Sequence, residues 1–237
     1  MLKIQDLTVV YPGEKTIAID GVSLTAGNGE NIALIGGNGA GKTSLLLAIA
    51  GVVEKVNGTV EIDGVQLTKK TIDEIRRKTG LVFQNPDDQL FMPFVFDDIA
   101  FGCRNSGMSQ DAVKTRVDET LDQLNISRLR GRSSLKLSEG EKRMAAIATV
   151  LVMEPSVLMF DEPTAFLDHK SRRLLIETLK KLRHTKIIVT HDLSFAAEVC
   201  DRVIIMKEGR IVADGTLALL YDKELMQNYE LEAITGG

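Results

Sequence analysis

The stretch NIALIGGNGAGKTSLLLAIAG, Asn31–Gly51, decides the fold. It opens with an apolar run of strand length, turns glycine-rich, and continues as an apolar helix in SLLLAIAG. Between strand and helix, GGNGAGKT (Gly36–Thr43) fits G-x-x-x-x-G-K-[ST], a phosphate-binding loop in the context that such a loop requires. Glycines let backbone amides approach phosphate oxygens, and the following helix points its positive end at them. Lys42 neutralises charge, and Thr43 offers a hydroxyl to Mg²⁺. The candidate phosphate site is Gly36, Gly37, Asn38, Gly39, Ala40, Gly41, Lys42, Thr43 and Ser44. A glycine-rich turn that binds nothing is the competing reading, and the Lys-Thr pair with both flanks stands against it.

Around this stretch lie short β-rich pieces, KIQDLTVVY, IAIDGVSL and GTVEIDG, and then GLVFQ (Gly80–Gln84), read as a strand. From Asp88 to Lys136 the character becomes helical. In SQDAVKTRVDETLDQLNI the residues Val113, Val117, Leu121 and Leu124 share one face, with Ser109 as N-cap. Beyond it, SVLMFD, KIIVTH and RVIIMK are apolar strands alternating with helices such as KSRRLLIETLKKLR, the pattern of a parallel sheet buried under helices. The expected architecture is α/β, a single domain over 1–237. Its core takes residues 1–87 and 155–237, and a helical subdomain takes 88–154.

With 237 residues, 44% of them hydrophobic, the chain can bury a sizeable core. A formal net charge of -4 and the lack of a dense basic block argue against general affinity for nucleic acid, so any polyanion site is local. Cys103 and Cys200 stand apart from each other and from any histidine cluster, which fits free thiols in a reducing compartment. The N-terminal run MLKIQDLTVVYPGEK alternates like a strand and lacks a signal-peptide core. No apolar run reaches the roughly 18 residues of a membrane span, so a membrane role has to come through a partner.

Three more strand ends carry chemistry. SVLMFDEP delivers Asp161 and Glu162 to the carboxyl edge of the sheet, where open α/β sheets bind ligands. Asp161 can hold Mg²⁺ through water, and Glu162 can polarise an attacking water; capping of the next helix is the alternative. KIIVT ends in His191 and GLVFQ in Gln84, residue types that at a strand end are more often structural than catalytic. Four ends carrying Gly36, Gln84, Asp161 and His191 to one edge are harder to dismiss.

The ordered set of Tyr11, GGNGAGKT, Gln84, LSEGE, VLMFDEP, FLD and His191 resembles the ATPase of an ABC transporter over almost the whole chain. More narrowly, QNPDDQLF followed by DDIAFG is similar to the energy-coupling-factor ATPases, including the cobalt and nickel import subunits. The resemblance implies a RecA-like P-loop NTPase core with an antiparallel β-subdomain and an inserted α-helical subdomain. It also implies a second ATPase subunit packed head to tail, in a homodimer or heterodimer, with each Mg²⁺-ATP held between one chain's phosphate loop and the other's signature turn. Tyr11 then stacks on adenine, or else is a buried aromatic beside Pro12. Gln84 senses Mg²⁺ and the attacking water, and Glu162 is the general base. His191 bonds the γ-phosphate. Mg²⁺ falls to Thr43, Gln84 and Asp161, while Ser138, Glu139, Gly140, Glu141 and Asp168 act across the dimer. The implied location is peripheral, on the cytoplasmic face of the cell membrane. An integral membrane component would dock near Asp87–Gly102, where the apolar LFMPFVF (Leu90–Phe96) is otherwise explained by internal packing.

Two departures stand out. Phe166 occupies a turn position where the family usually has a small residue, and LSEGE replaces the commoner LSGGQ. Glu139 and Glu141 thus sit where an anion should dock. Ser138 and Glu141 have the S-x-x-E spacing of a capping box, which turns the second glutamate toward the helix itself. A non-transport ABC ATPase, a P-loop kinase and a subunit that only binds ATP are the competing readings. The first lacks a basic patch here, the second leaves LSEGE and His191 idle, and the third is at odds with Glu162 and His191.

Overall fold

The computed structural model describes residues 1–13 and 16–234; the expectations that reach Lys15 and Gly237 lie in part outside them. Along the chain the elements begin with β1 (Leu2–Val10), β2 (Ile17–Ala26), β3 (Asn31–Ile35), α1 (Lys42–Ile49), β4 (Asn57–Ile62) and β5 (Val65–Gln66). Then come α2 (Ile72–Lys78), β6 (Thr79–Val82), α3 (Val95–Asn105), α4 (Gln110–Gln123), α5 (Glu139–Leu151) and β7 (Val157–Asp161). The chain closes with α6 (His169–Lys181), β8 (Thr185–Val189), α7 (Leu193–Val199), β9 (Arg202–Lys207), β10 (Arg210–Thr216) and α8 (Lys223–Asn228). They divide between two compact units. The first takes residues up to Leu81, Ser156–Glu162 and the chain from Arg183 onward; the second takes Val82–Pro155 and Pro163–Leu182.

In the first unit β2, β1, β4 and β5 form an antiparallel sheet in that order. Along β1 the buried positions Leu2, Ile4, Leu7 and Val9 break strict alternation once, where Asp6 adopts a positive φ of 48° and the register slips. The larger sheet runs β10-β9-β3-β8-β7-β6. Strands β9, β3, β8 and β7 are parallel, and β10 returns antiparallel beside β9. Every residue of β7 and β8 is buried, the apolar Val157–Phe160 and Ile187–Val189 and also the polar Asp161, Thr185 and Lys186 at the strand ends. Register pairs Leu34 with Val189 and Val189 with Asp161. Three strands therefore end at one level of one edge, and the residues after them emerge together.

The second unit is helical. Helix α5 lies against α3, α4 and α6, and each turns an apolar stripe inward, such as Ile99, Ala100 and Cys103 of α3 or Leu175, Ile176 and Leu179 of α6. Val113, Val117, Leu121 and Leu124 are buried as expected, and the Ser109 hydroxyl accepts the amide of Ala112 at 3.3 Å. Cys103 and Cys200 are buried free thiols. The structure differs from the sequence reading in three places. Strand β6 stops at Val82, so Gln84 lies beyond it. Elements β5, α2, α7, β10 and α8 had not been anticipated. Residues 82–87 and Pro155 group with the helical unit and not with the core, as does Pro163–Leu182 through the packing of α6 on α5.

Candidate functional site

The phosphate loop joins β3 to α1 in the first unit. A Cβ on Gly36 would lie 2.2 Å from the carbonyl oxygen of Met206, and one on Gly41 2.4 Å from that of Ala18. Gly41 also has φ 96° as the N-cap of α1, so backbone walls and backbone conformation both demand glycine there. Among the described residues no side chain caps α1, and its first turn carries no acid. Its leading amides are left for an anion. Lys42 Nζ donates to the carbonyls of Gly36 at 2.8 Å and Gly37 at 2.9 Å, which fold the ammonium over the loop. Burial lowers its pKa, against the raising influence of Glu162 and Asp161. Gly37, Asn38 and Gly39 are exposed, while Ala40 is buried. The Tyr11 hydroxyl donates to Ser44 Oγ at 3.1 Å, which sets that half-buried ring beside the start of α1.

At the same edge, Thr43 Oγ1 donates to Asp161 Oδ2 at 2.8 Å. Burial raises the pKa of Asp161; the bond from Thr43 opposes this, and the charge of Glu162 reinforces it. Glu162 follows in the left-handed region at φ 45°, with its amide bonded to the carbonyl of Val189 at 2.9 Å. Its carboxylate accepts the amide of His191 at 3.2 Å and lies 2.7 Å from His191 Nδ1. The Glu162 side chain is 13% exposed and that of His191 77%, so a sheltered acceptor is oriented by an imidazole that faces solvent. The structure thus brings Lys42, Thr43, Asp161, Glu162 and His191 to one sheet edge.

The second unit holds the other candidates. Ser138 caps α5: its Oγ accepts the amide of Glu141 at 3.3 Å, while Glu141 Oε2 accepts the amide of Ser138 at 3.1 Å. The Glu141 carboxyl is held below the ordinary range, chiefly by that amide, and Arg128 pairs with it at 3.0 Å. Glu139 pairs with Lys142 at 3.2 Å, and Lys142 also meets Asp87 at 2.9 Å. Both glutamates are therefore occupied. Gly140 faces Ser171 so closely that a Cβ would lie 2.2 Å from Ser171 Oγ. Asp168 caps α6 by accepting the amide of Ser171 at 2.7 Å, and that bond lowers its pKa. Ser138, Gly140, Glu141, Asp168 and Ser171 line one cleft of about 620 Å³; Glu139 does not. The side chain of Gln84 is exposed.

Sequence reading did not single out Ser171, which lines this cleft, or Arg143. The guanidinium of Arg143 donates to the carbonyls of Phe83 and Gln84, both at 2.6 Å. One signal pointed to it, an arginine on the otherwise apolar face continued by Met144 and Ile147.

The family model described as ABC transporter matches residues 19–165. A putative ABC transporter ATP-binding protein of Geobacter sulfurreducens is 43% identical over 98% of this chain and 93% of its own length. The energy-coupling factor transporter ATP-binding protein EcfA of Carboxydothermus hydrogenoformans is 41% identical over 98% of this chain and 87% of its own. Among solved structures, cbiO1 of Clostridium perfringens, part of the ABC transporter complex cbiONQ, superposes with a TM-score of 0.83 at 37% identity, covering 96% of this chain and 93% of that one. A dimeric ATP-binding cassette in a post-hydrolysis state, bound to ADP and Pi, reaches 0.81 at 28% identity, over 92% of this chain and 99% of that one. With its P-loop fold and its motifs in family order, the chain belongs to the ABC transporter family as one of its ATP-binding, ATP-hydrolysing subunits.

Proposed function

We propose that the chain powers an importer of energy-coupling-factor type, hydrolysing ATP to drive uptake of a metal ion or vitamin through a membrane partner. The observation that carries the reaction is the Glu162 carboxylate fixed by His191 beside Thr43 and Asp161. Glu162 takes a proton from water as its oxygen attacks the γ-phosphorus; the bond from that phosphorus to the bridging oxygen breaks, and ADP and phosphate leave. His191 bonds the γ-phosphate, Lys42 and the α1 amides hold the phosphates, and the Tyr11 ring stacks on adenine with its edge set by Ser44.

Magnesium fits the residues present. Among the described residues no group of three or more His, Cys, Asp or Glu could hold a metal, and Thr43 lies hydrogen-bonded to Asp161. A hydroxyl and one carboxylate are what Mg²⁺ takes from a protein when phosphate oxygens and water complete its octahedron. Thr43 and Asp161 would hold it, and when bound it would neutralise charge developing on the phosphate oxygens; Gln84 keeps the role of sensing it that the family pattern implies.

A second ATPase subunit presents its Ser138–Glu141 turn and Asp168 to the first chain's ATP. The membrane component docks on Asp87–Gly102. Support for that surface is an organised apolar display. The Asp98 carboxylate accepts the amides of Phe91 and Met92 at 2.9 and 2.8 Å and the Ser134 hydroxyl at 2.7 Å. Phe91 and Phe101 then stack edge to face at 4.9 Å, 62% and 41% exposed, with Phe94 at 49%. Among the described residues no helix is long and apolar enough to cross a membrane. Peripheral attachment at the cytoplasmic face, through the membrane component, is part of the same proposal.

The test is Glu162→Gln, which keeps shape but cannot take the proton. ATP should still bind, while single-turnover hydrolysis falls about 10²- to 10⁴-fold. A variant with most of its wild-type turnover would remove Glu162 from the role. Co-purification of the Phe91→Asp/Phe94→Asp variant with as much integral membrane protein as the wild type would refute the docking surface.

A further inference from the structure

Arg143 is the largest of the fully buried side chains among the described residues. It lies on α5, two residues past Glu141. Its guanidinium is bonded to no carboxylate: Nη1 and Nη2 go to the carbonyls of Phe83 and Gln84, and Nε is buried without a partner among the described residues. Burial pushes its pKa down to about 10, opposed by Glu139. Burying a cation costs its solvation, which the two charge-assisted bonds to carbonyls have to offset, so a buried arginine is weak evidence of a gain in stability. What Arg143 grips is therefore the more informative property.

Successive carbonyls of an extended chain point to opposite sides. Here two consecutive carbonyls converge on one planar fork, so the chain has left strand geometry at Phe83, which is why β6 ends at Val82 and not at Gln84. The rigid guanidinium can impose this where a point charge cannot. Two further links tie the same turn to α5. Gln89 donates to the carbonyl of Ala146 at 2.9 Å and to Thr149 Oγ1 at 2.8 Å while accepting the amide of Phe83 at 3.2 Å. Lys142 reaches Asp87 at 2.9 Å.

We propose that Arg143 is a positioning residue for hydrolysis, clamping the backbone of Phe83 and Gln84 to α5 so that one helix both carries Ser138 and Gly140 and aims Gln84. Closure of the signature turn and aiming of Gln84 are then a single motion. The inference rests on the reading of Gln84 given above.

The purified full chain tests it in four forms: Arg143→Met, which keeps volume and removes the donors, Arg143→Lys, Gln84→Ala, and Gln84→Ala with Arg143→Met. Arg143→Met should unfold at a denaturant concentration no lower than wild type. Its kcat should fall about 10- to 100-fold, with KM for ATP within about twofold. Arg143→Lys should fall between, and the double variant should be no slower than Gln84→Ala alone. Wild-type turnover in Arg143→Met beside a slow Gln84→Ala overturns the proposal. So do losses that multiply in the double variant, which place Arg143's effect outside Gln84. Wild-type turnover in Gln84→Ala overturns the reading of Gln84 and the clamp with it. Should Arg143→Met fail to fold, Arg143→Lys with and without Gln84→Ala carries the same test.

Discussion

Two helices begin at turns read as phosphate-binding, and they begin in opposite ways. Helix α1 starts from a left-handed glycine, with no side-chain cap among the described residues and no acid in its first turn. Helix α5 starts from a complete capping box with two glutamates in its first turn. The positive end of α1 is unsatisfied until an anion arrives, whereas that of α5 is satisfied by its own side chains. The same element, a helix N-terminus, is thus a receptor in one unit and a preformed, weakly attractive surface in the other. On the proposed function, ATP is captured by α1 and only then offered to α5 of the second subunit. The Ser138 hydroxyl must exchange its bond to Glu141 for one to phosphate, since Glu141 Oε2 lies 3.3 Å from it. Such closure is reversible by construction.

Six variants break or sharpen this contrast. Lys42→Ala removes the side-chain cation that folds over the α1 loop. With charge-assisted bonds worth about 1.5–3 kcal/mol each, ATP affinity by calorimetry should fall more than about tenfold. An unchanged affinity would mean that the bare amides suffice.

Gly41→Ala should follow, with left-handed strain of about 1–3 kcal/mol plus a methyl driven onto the carbonyl of Ala18. Gly140→Ala should be milder in a thermal melt, because its obstacle is the side chain of Ser171, which can rotate or yield where a backbone carbonyl cannot. If the two melts shift equally, the distinction between wall and hinge is wrong.

Ser138→Ala should cost about 1 kcal/mol in the helical unit through the lost cap. That loss has a pH signature. Glu141 is held below the ordinary glutamate value of about 4.3, so the box contributes fully above that value and is lost as pH falls through the lowered one. Hydrogen exchange at α5 should accelerate at low pH in the wild type, and much less steeply in Glu141→Gln. Equal slopes would exclude Glu141 as the origin.

Glu139→Gly should have the smallest effect. The pair with Lys142 already offsets much of its charge, so ATP-dependent dimerisation in a Glu162→Gln background should tighten by well under about 1 kcal/mol, less at high salt. A gain as large as that of a bare first-turn carboxylate would mean that Lys142 does not neutralise Glu139 in solution.

The phosphate loop, the Asp161–Glu162 pair and the Ser138–Glu141 box were legible because each depends on residues within a few positions of one another. Local pattern is enough for a strand-turn-helix or a cap. Gln84 was misplaced inside a strand because the group that bends the chain there, Arg143, is distant in sequence. From sequence, Arg143 reads as one more charge after LSEGE, since its partners are carbonyls and carry no side-chain signature. The association of α6 with the helical unit was hidden for the same kind of reason: its apolar stripe fits either sheet or helix, and only packing on α5 decides. Short α2 and α7 give too few turns for a periodic signal.

The pairing of β3 with β8 and β9 bears on how the chain is made. Strands β1, β2, β4 and β5 lie within the first third of the sequence and can close their sheet early in synthesis. NIALI, the strand that presents the phosphate loop, cannot: its neighbours are encoded about 150 residues later, a delay of roughly 8–30 s at ribosomal speed. Through that interval a β-segment that is apolar from Ile32 to Ile35 has both edges open, the kind of segment that aggregates or needs a chaperone. The phosphate loop thus waits on strands made long after it, and ATP cannot help the nascent chain to fold until β8 and β9 have been made.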